Sequence, residues 1–233
     1  MPDSSARSLD RLGAAAGGVA VVLLVALLQL FPAIPAADES VASIAAATSD
    51  QSQTLLIGAY DGALASGALL VFGAAFAARL WRAGSMWWIV VLSGMTAAVS
   101  FSLVGELMIL VFVRAVGHGV TGDALWIAYG GDLNGFLQAI PYAVFMLGAG
   151  MGIRATGALP RWTGLVALVA APLFVVGAAS VAGREVDGAP FIYPLMLAYL
   201  GITVWTAAVS VVLWRRAGQG ILQPRVPVPA EAL

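Results

Sequence analysis

The chain has 233 residues, of which 61% are hydrophobic and 10% are charged, with a formal net charge of -1 and a mean hydropathy of +0.96. A typical soluble domain carries about 25% charged residues. The composition therefore excludes a soluble globular protein and a disordered or collagen-like chain, and it indicates a polytopic membrane protein. A nucleic-acid-binding protein is also excluded, because such a protein carries a basic patch or stripe.

Residue types that are missing exclude several kinds of chemistry. The chain has no cysteine, which excludes disulfide bonds, cysteine-ligated metals and thiol nucleophiles. All eleven basic residues are arginine, which excludes a lysine Schiff base. The single histidine, His118, stands between two glycines without the spacing of a metal-ligand motif, and it is typical of a solvated loop residue. No nucleotide-binding or hydrolase motif is present, so we predict no cofactor.

Six apolar stretches are long enough to cross a bilayer as helices, which requires about 20 residues each. They predict an all-α fold, a bundle of six transmembrane helices. Two connections are longer than a tight turn: residues 33–53 are polar, and residues 114–134 include an amphipathic piece, 122–129, that predicts a short interfacial helix. The six predicted spans are residues 14–31, 54–78, 87–112, 135–153, 162–182 and 191–214.

The distribution of arginine predicts the orientation of the bundle, because cytoplasmic loops are enriched in basic residues. With both termini inside, nine arginines lie on the cytoplasmic side and only Arg114 and Arg184 lie outside. Seven acidic residues then fall outside. The bias towards Ala, Gly, Val and Arg is typical of a GC-rich bacterial genome, so we predict a multi-pass protein of a bacterial inner or plasma membrane.

The first apolar run has an alternative interpretation as a cleaved signal peptide, since Arg7 and Arg11 precede it and an Ala/Pro-rich segment follows it. Its length exceeds the 7–15 residues of a usual signal-peptide core, which favours a transmembrane helix. The predicted organisation is a single transmembrane domain over residues 1–216, followed by a disordered, Pro-rich cytoplasmic tail over residues 217–233.

Two acidic residues, Asp61 and Glu106, lie within the predicted spans. An ionised carboxylate near the centre of a membrane helix costs about 2.5–3.5 kcal/mol on insertion scales, so each needs a partner, a proton or water. At 1.5 Å per residue, Asp61 lies about 10 Å and Glu106 about 9 Å below the outer ends of their helices. Both carboxyl groups are therefore expected at one level in the outer leaflet.

Further polar residues are expected at the same level. Asn134, Gln138 and Tyr142 follow an i, i+4, i+8 spacing, which places them on one face of the fourth span. Together with Glu106 and Asp61 they predict a polar ligand-binding pocket open to the outer face. The alternative is packing, because Asp61 lies between Gly58 and Gly62, a small-xxx-small pattern, and a protonated acid could hold helices together by hydrogen bonds.

One region of the chain resembles a known family. Residues 145–154 end a span in Arg154, and the turn Leu159-Pro-Arg-Trp162 leads into a glycine-containing span; residues 103–110 carry Glu106. This pattern is similar to an uncharacterised bacterial family of six-helix integral membrane proteins that contain a domain of unknown function. That family usually has arginine three residues before the acid, where this chain has Leu103. The resemblance implies the architecture and no activity.

Three functional hypotheses remain open from the sequence. The first is that the protein binds or moves a small or lipid-like molecule in the outer-leaflet pocket, with membrane lipids and a small ligand as its partners. The second is a structural or regulatory subunit that works as a homo-oligomer or with a partner membrane protein. The third is an intramembrane enzyme that uses Glu106 as an acid and base, although no nucleophile or metal set accompanies it.

Overall fold

The computed structural model describes residues 4–30, 40–120, 134, 137–179 and 192–218; of residues 28–30, 192–193 and 218 only the backbone is described. The described regular structure is entirely helical and comprises seven helices: α1 (Ser4–Leu30), α2 (Val41–Asp50), α3 (Ser52–Arg82), α4 (Trp87–Gly117), α5 (Ala139–Thr156), α6 (Arg161–Ala178) and α7 (Ile192–Gly218).

Six of the helices form a closed ring. Each of α3, α4, α5, α6 and α7 packs against the ring helix before it in the chain, and α1 packs against α7 to complete the circle. Five helices are long and apolar enough to cross a membrane, namely α1 over Ser4–Leu27, α3, α4, α6, and α7 over Pro194–Ala217. The prediction of an all-helical fold with several long apolar helices is confirmed, and this architecture is compatible with a helical membrane bundle. The fourth predicted span corresponds to α5.

The short helix α2 lies in a connection that the sequence analysis describes only as polar. The Ser40 hydroxyl accepts a hydrogen bond from the Ser43 backbone N–H at 3.2 Å, which caps the start of this helix. Ile44 of α2 is buried against Phe112 of α4 in a small apolar cluster of its own. The other predicted elements of the connections, the interfacial helix at 122–129 and most of the tail at 217–233, lie outside the described residues.

Two tight turns join neighbouring helices and keep them antiparallel. After α3, Gly84 has a φ of +76°, which a residue with a side chain rarely adopts. After α5, Gly157 has a φ of +64°, and its backbone N–H donates to the Ile153 carbonyl at 2.8 Å. Pro160 then precedes the first turn of α6, where a proline is well tolerated. These turns place α3 beside α4 and α5 beside α6.

An aromatic cluster forms the centre of the ring. The Trp205 indole of α7 stands edge-on to Phe72 and Phe76 of α3 and to Phe145 of α5, with ring centroids 6.0, 5.7 and 5.7 Å away. Its Nε1–H donates to the Thr163 carbonyl of α6 at 2.8 Å. An unpaired N–H group inside a membrane costs roughly several kcal/mol. The hydrogen bond to Thr163 avoids this cost, so the indole can occupy the core. Trp205 therefore links four helices of the ring.

Glycines allow the closest helix contacts. A Cβ built on Gly94 of α4 would stand 2.5 Å from the Phe145 backbone nitrogen of α5. A Cβ on Gly17 of α1 would meet the side chains of Phe72 and Ser210. Small residues at membrane-helix interfaces let backbones approach in this way, so that dispersion contacts hold the helices together.

The two ends of the ring differ in charge. We call the end at which α1 begins and α3 and α7 finish the arginine-rich end. Among the described residues, Arg114 is the only basic residue whose helix position places it at the opposite end. Asp10 is the only described acidic residue at the arginine-rich end. The described arginines at the arginine-rich end are Arg7, Arg11, Arg79, Arg82, Arg154, Arg161, Arg215 and Arg216.

Candidate functional site

Asp61 of α3 and Glu106 of α4 meet where these two helices pack together. The Glu106 carboxyl group lies against the backbone of Gly62, in the space that a Cβ at position 62 would occupy. Glu106 interacts electrostatically with Asp61, the residue next to that glycine. Both acids are half-buried. The expectation that the two carboxyl groups lie at one level therefore corresponds to an actual juxtaposition across a single helix interface.

Each of these acids has one buried oxygen without a hydrogen-bond partner among the described residues. The atoms are Asp61 Oδ2 and Glu106 Oε2. A buried polar group without a partner is costly, and a buried charge without one is more so. At 1.5 Å per residue, Asp61 lies about 14 Å from the start of α3 and Glu106 about 17 Å from the end of α4. The pair is thus an acceptor-rich site well inside two candidate membrane spans.

Asn134 and Gln138 contact α4 on the same stretch that carries Glu106. Asn134 Nδ2 donates to the Phe101 carbonyl at 2.7 Å, and its amide occupies the space beside Gly105. Gln138 Nε2 donates to Ser102 Oγ at 2.8 Å and to the Ala98 carbonyl at 3.5 Å. These amide donors hold α4 to the residues that lead into α5. They border the acid pair, because Ser102 lies one helical turn from Glu106.

Tyr142 belongs to a second aromatic cluster and to the polar network at once. Its ring is buried, stacked on Phe174 of α6 with centroids 5.5 Å apart and edge-on to Tyr199 of α7 at 5.8 Å. Its side chain also lies within interaction range of the Gln138 side chain. The tyrosine therefore connects the polar contacts on α4 with helices α6 and α7.

Asn134 and Gln138 lie along one side of α4 and Tyr142 lies near Gln138, as their spacing predicts, but among the described residues no hydrogen bond joins them to either acid. Depth along the helices could be predicted from the 1.5 Å rise, whereas the rotation that turns the amide donors onto α4 could not. The glycines at positions 62 and 105 were the available signal for close packing of polar groups.

Other polar residues near the acids in sequence lie apart from them. The Tyr60 side chain is 67% exposed on the outer surface of α3, although it neighbours Asp61 in the chain. Arg114 and His118 are exposed near the end of α4. Within the described ranges, the recorded ion pairs are only those of Asp10, and no group of three or more His, Asp or Glu residues is placed to hold a metal ion.

A polar cluster at the arginine-rich end was missed by the sequence analysis. Asp10 of α1 is buried and forms ion pairs with Arg79 and Arg82 of α3, the latter with a distance of 2.9 Å between oxygen and nitrogen. The carbonyl of Ala158, in the turn after α5, accepts hydrogen bonds from Arg79 Nε at 3.2 Å and from Arg216 Nη1 of α7 at 2.7 Å. The available signal was Asp10 itself, an acid within an arginine-rich stretch.

Comparisons of the chain with protein families, with characterised proteins and with solved structures found no match.

Proposed function

We propose that this protein binds, and in doing so can move, a small or lipid-like molecule at Asp61 and Glu106 within the outer half of a membrane. The unpartnered buried oxygens of the two acids are the observation that carries this proposal. Ionisable residues inside membrane spans are costly and rare, and those that occur commonly mark substrate or ion pathways. The ligand supplies the hydrogen-bond donors that the described part of the chain does not offer to these two oxygens.

The chemistry of the site defines the ligand class. Two adjacent carboxyl groups offer only acceptors when ionised, and they repel each other. A ligand with an ammonium group or several hydroxyl groups satisfies the free oxygens, and a positive charge also offsets the repulsion. Its apolar part contacts the hydrocarbon-facing side chains that flank the acids, such as Leu107 and Leu64, both exposed on the outside of the ring.

The topology belongs to the same proposal. We place α5 across the membrane as the sixth span, because it packs between α4 and α6 and carries part of the central aromatic cluster. The arginine-rich end faces the cytoplasm of a bacterial cell, in agreement with the positive-inside rule, so that both termini are cytoplasmic. Asp61 and Glu106 then lie nearer the outer face than the arginine cluster.

The test is native mass spectrometry of the protein extracted with its own lipids, with wild type compared with Glu106→Gln and Asp61→Asn. A defined molecule bound to the wild type and lost from both variants is expected. Asp50→Asn is the matched control, because Asp50 is exposed at the end of α2. Melting temperatures of all four proteins are measured in parallel, and the two site variants are expected to melt at or above the wild-type temperature because they remove a repulsion.

A structural role is the second candidate, and one observation favours it. The amide donors of Asn134 and Gln138 are already engaged with α4, as they would be in an interhelical contact, worth about 0.6 kcal/mol per bond in a membrane. If the acids serve the same purpose, Glu106→Gln and Asp61→Asn lower the melting temperature and only bulk lipid accompanies the wild type. That outcome would contradict the binding proposal and would support a role as a structural or regulatory subunit.

A further inference from the structure

The cluster at the arginine-rich end contains more positive charge than its own acid can balance. Three guanidinium groups, of Arg79, Arg82 and Arg216, gather where α3 and α7 end. Among the described residues, Asp10 is their single carboxylate partner, with one oxygen engaged by Arg79 and the other by Arg82. The group therefore retains an excess of two positive charges.

Arg216 is the member of this group without a carboxylate among the described residues. Its recorded hydrogen bond goes to the neutral carbonyl of Ala158, which it shares with Arg79. A guanidinium carries five N–H donors, so this bond leaves Arg216 with donors to spare within the described structure. Arg79 is also electrostatically opposed by both Arg82 and Arg216. An anion placed among them offsets that opposition.

Exposed tryptophans lie beside the cluster and mark its level in the membrane. Trp81 lies between Arg79 and Arg82 in the chain, and Trp214 lies two residues before Arg216; the two side chains are 65% and 58% exposed. Indole rings favour the headgroup level of a bilayer, where the ring is partly apolar and its N–H remains hydrated. With Trp81 and Trp214 at the headgroup level, the neighbouring guanidinium groups fall at the level of the lipid phosphates.

From this arrangement we propose that Arg79, Arg82 and Arg216 bind the phosphate of an anionic lipid headgroup at the arginine-rich end of the ring. The planar guanidinium matches a phosphate through two parallel N–H bonds, which a lysine does not offer. Between them, Asp10 and the Ala158 carbonyl hold all three guanidinium groups in place before the lipid arrives. This site is separate from the acid pair of α3 and α4.

The experiment uses the full chain in detergent with phosphatidylglycerol or phosphatidylcholine added, and it measures lipid retention by native mass spectrometry. We expect the wild type to retain phosphatidylglycerol in preference to phosphatidylcholine. Arg216→Gln should retain it at least about tenfold less. The matched control is Arg161→Gln, since Arg161 is exposed at the same end and has no side-chain partner among the described residues. This variant should stay within about fivefold of wild type, the effect of one basic residue near an anionic surface.

Three results would overturn the proposal or its lipid source. Equal retention of the two lipids by the wild type, or equal losses in Arg216→Gln and Arg161→Gln, shows general surface attraction and overturns the site. If inorganic phosphate raises the wild-type melting temperature as much as short-chain phosphatidylglycerol does, the bound phosphate group need not belong to a lipid, and the lipid part of the proposal is overturned. If Arg216→Gln does not fold, the wild type alone decides: its melting temperature must rise more with short-chain phosphatidylglycerol than with short-chain phosphatidylcholine.

Discussion

The carboxyl group of Glu106 occupies the space that a side chain at Gly62 would fill on the neighbouring helix. The absence of a side chain at one position of α3 thus admits an acidic group from α4 and sets it beside Asp61. The glycine in this interface therefore makes room for a polar side chain of the neighbouring helix.

Substitution of Gly62 by alanine tests whether this glycine matters for the position of the Glu106 carboxyl group or for the packing of α3 against α4. The new methyl group meets the flexible end of the Glu106 side chain, which can rotate away, so we expect a change in stability of about 1 kcal/mol or less. Rotation moves the carboxyl away from Asp61, and retention of the bound molecule should fall as it does in Glu106→Gln. Native mass spectrometry and thermal melting are compared with Gly67→Ala, whose Cβ meets nothing within 4 Å. Unchanged retention in Gly62→Ala would contradict the assignment of this site.

Gly94→Ala, unlike Gly62→Ala, should strongly lower the stability of the protein. Its new methyl group would meet the Phe145 backbone, 2.5 Å from the nitrogen and 2.8 Å from Cα, and a backbone cannot rotate aside. The helices α4 and α5 must separate, and we expect a loss of about 2–3 kcal/mol. Thermal unfolding with Gly67→Ala as the reference measures the loss; equal melting temperatures would show that the α4–α5 contact is looser than described.

Asp10→Asn removes the carboxylate that ties α1 to α3. Two guanidinium groups then lose their charge partner in a largely buried position, and we expect a destabilisation of about 2–3 kcal/mol, below the full cost of breaking a buried pair because asparagine still accepts a hydrogen bond. Asp50→Asn, at an exposed position, should be close to neutral. Chemical or thermal unfolding in detergent decides, and two equal effects would argue against a stabilising ion pair.

Trp205→Phe tests the central cluster. The substitution removes the indole N–H that reaches the Thr163 carbonyl and leaves a void between Phe72 and Phe145. We expect a loss of about 1–3 kcal/mol from the cavity and the broken bond. Trp214→Phe, with its side chain 58% exposed, serves as the control and should cost much less. A smaller loss at 205 than at 214 would contradict the description of the core.

The contact between Gln138 and Ser102 is suited to a double-mutant cycle. Gln138→Leu, Ser102→Ala and the double variant should give a coupling energy of about 0.6 kcal/mol, the usual size of an interhelical hydrogen bond in a membrane. Coupling near zero would indicate that the contact with Ser102 does not stabilise the protein and that Gln138 is held by its other contacts, such as the Ala98 carbonyl.

Hydropathy was sufficient to locate the five helices that are long and apolar enough to cross a membrane, and the fourth predicted stretch corresponds to the helix α5. Their ends were harder to predict. Helix α1 begins at Ser4, ten residues before the predicted span, since the polar first turns belong to the same helix and place Asp10 beside Arg79. Helix α2 was not predicted, because only Ile44 and Thr48 of its ten residues are buried and its composition is dominated by small residues.

The candidate site was predictable in depth but not in its contacts. The rise per residue placed Asp61 and Glu106 at one level, whereas helix rotation and neighbour order decide which side chains meet at that level. The central role of Trp205 was equally hidden, since a tryptophan in an apolar span has the same sequence signature whether it faces lipid or three other rings.

The contact between α1 and α7 has a consequence for the order in which the protein assembles. The first helix of the ring acquires its second neighbour only when the last one has been made, and that last helix also brings Trp205 to the phenylalanines of α3 and α5. During synthesis, the earlier helices must therefore form an incomplete ring whose centre lacks the Trp205 side chain until α7 is made. Removal of α7 should leave the facing surfaces of α1 and α6, and the phenylalanine rings of α3 and α5, without their packing partner.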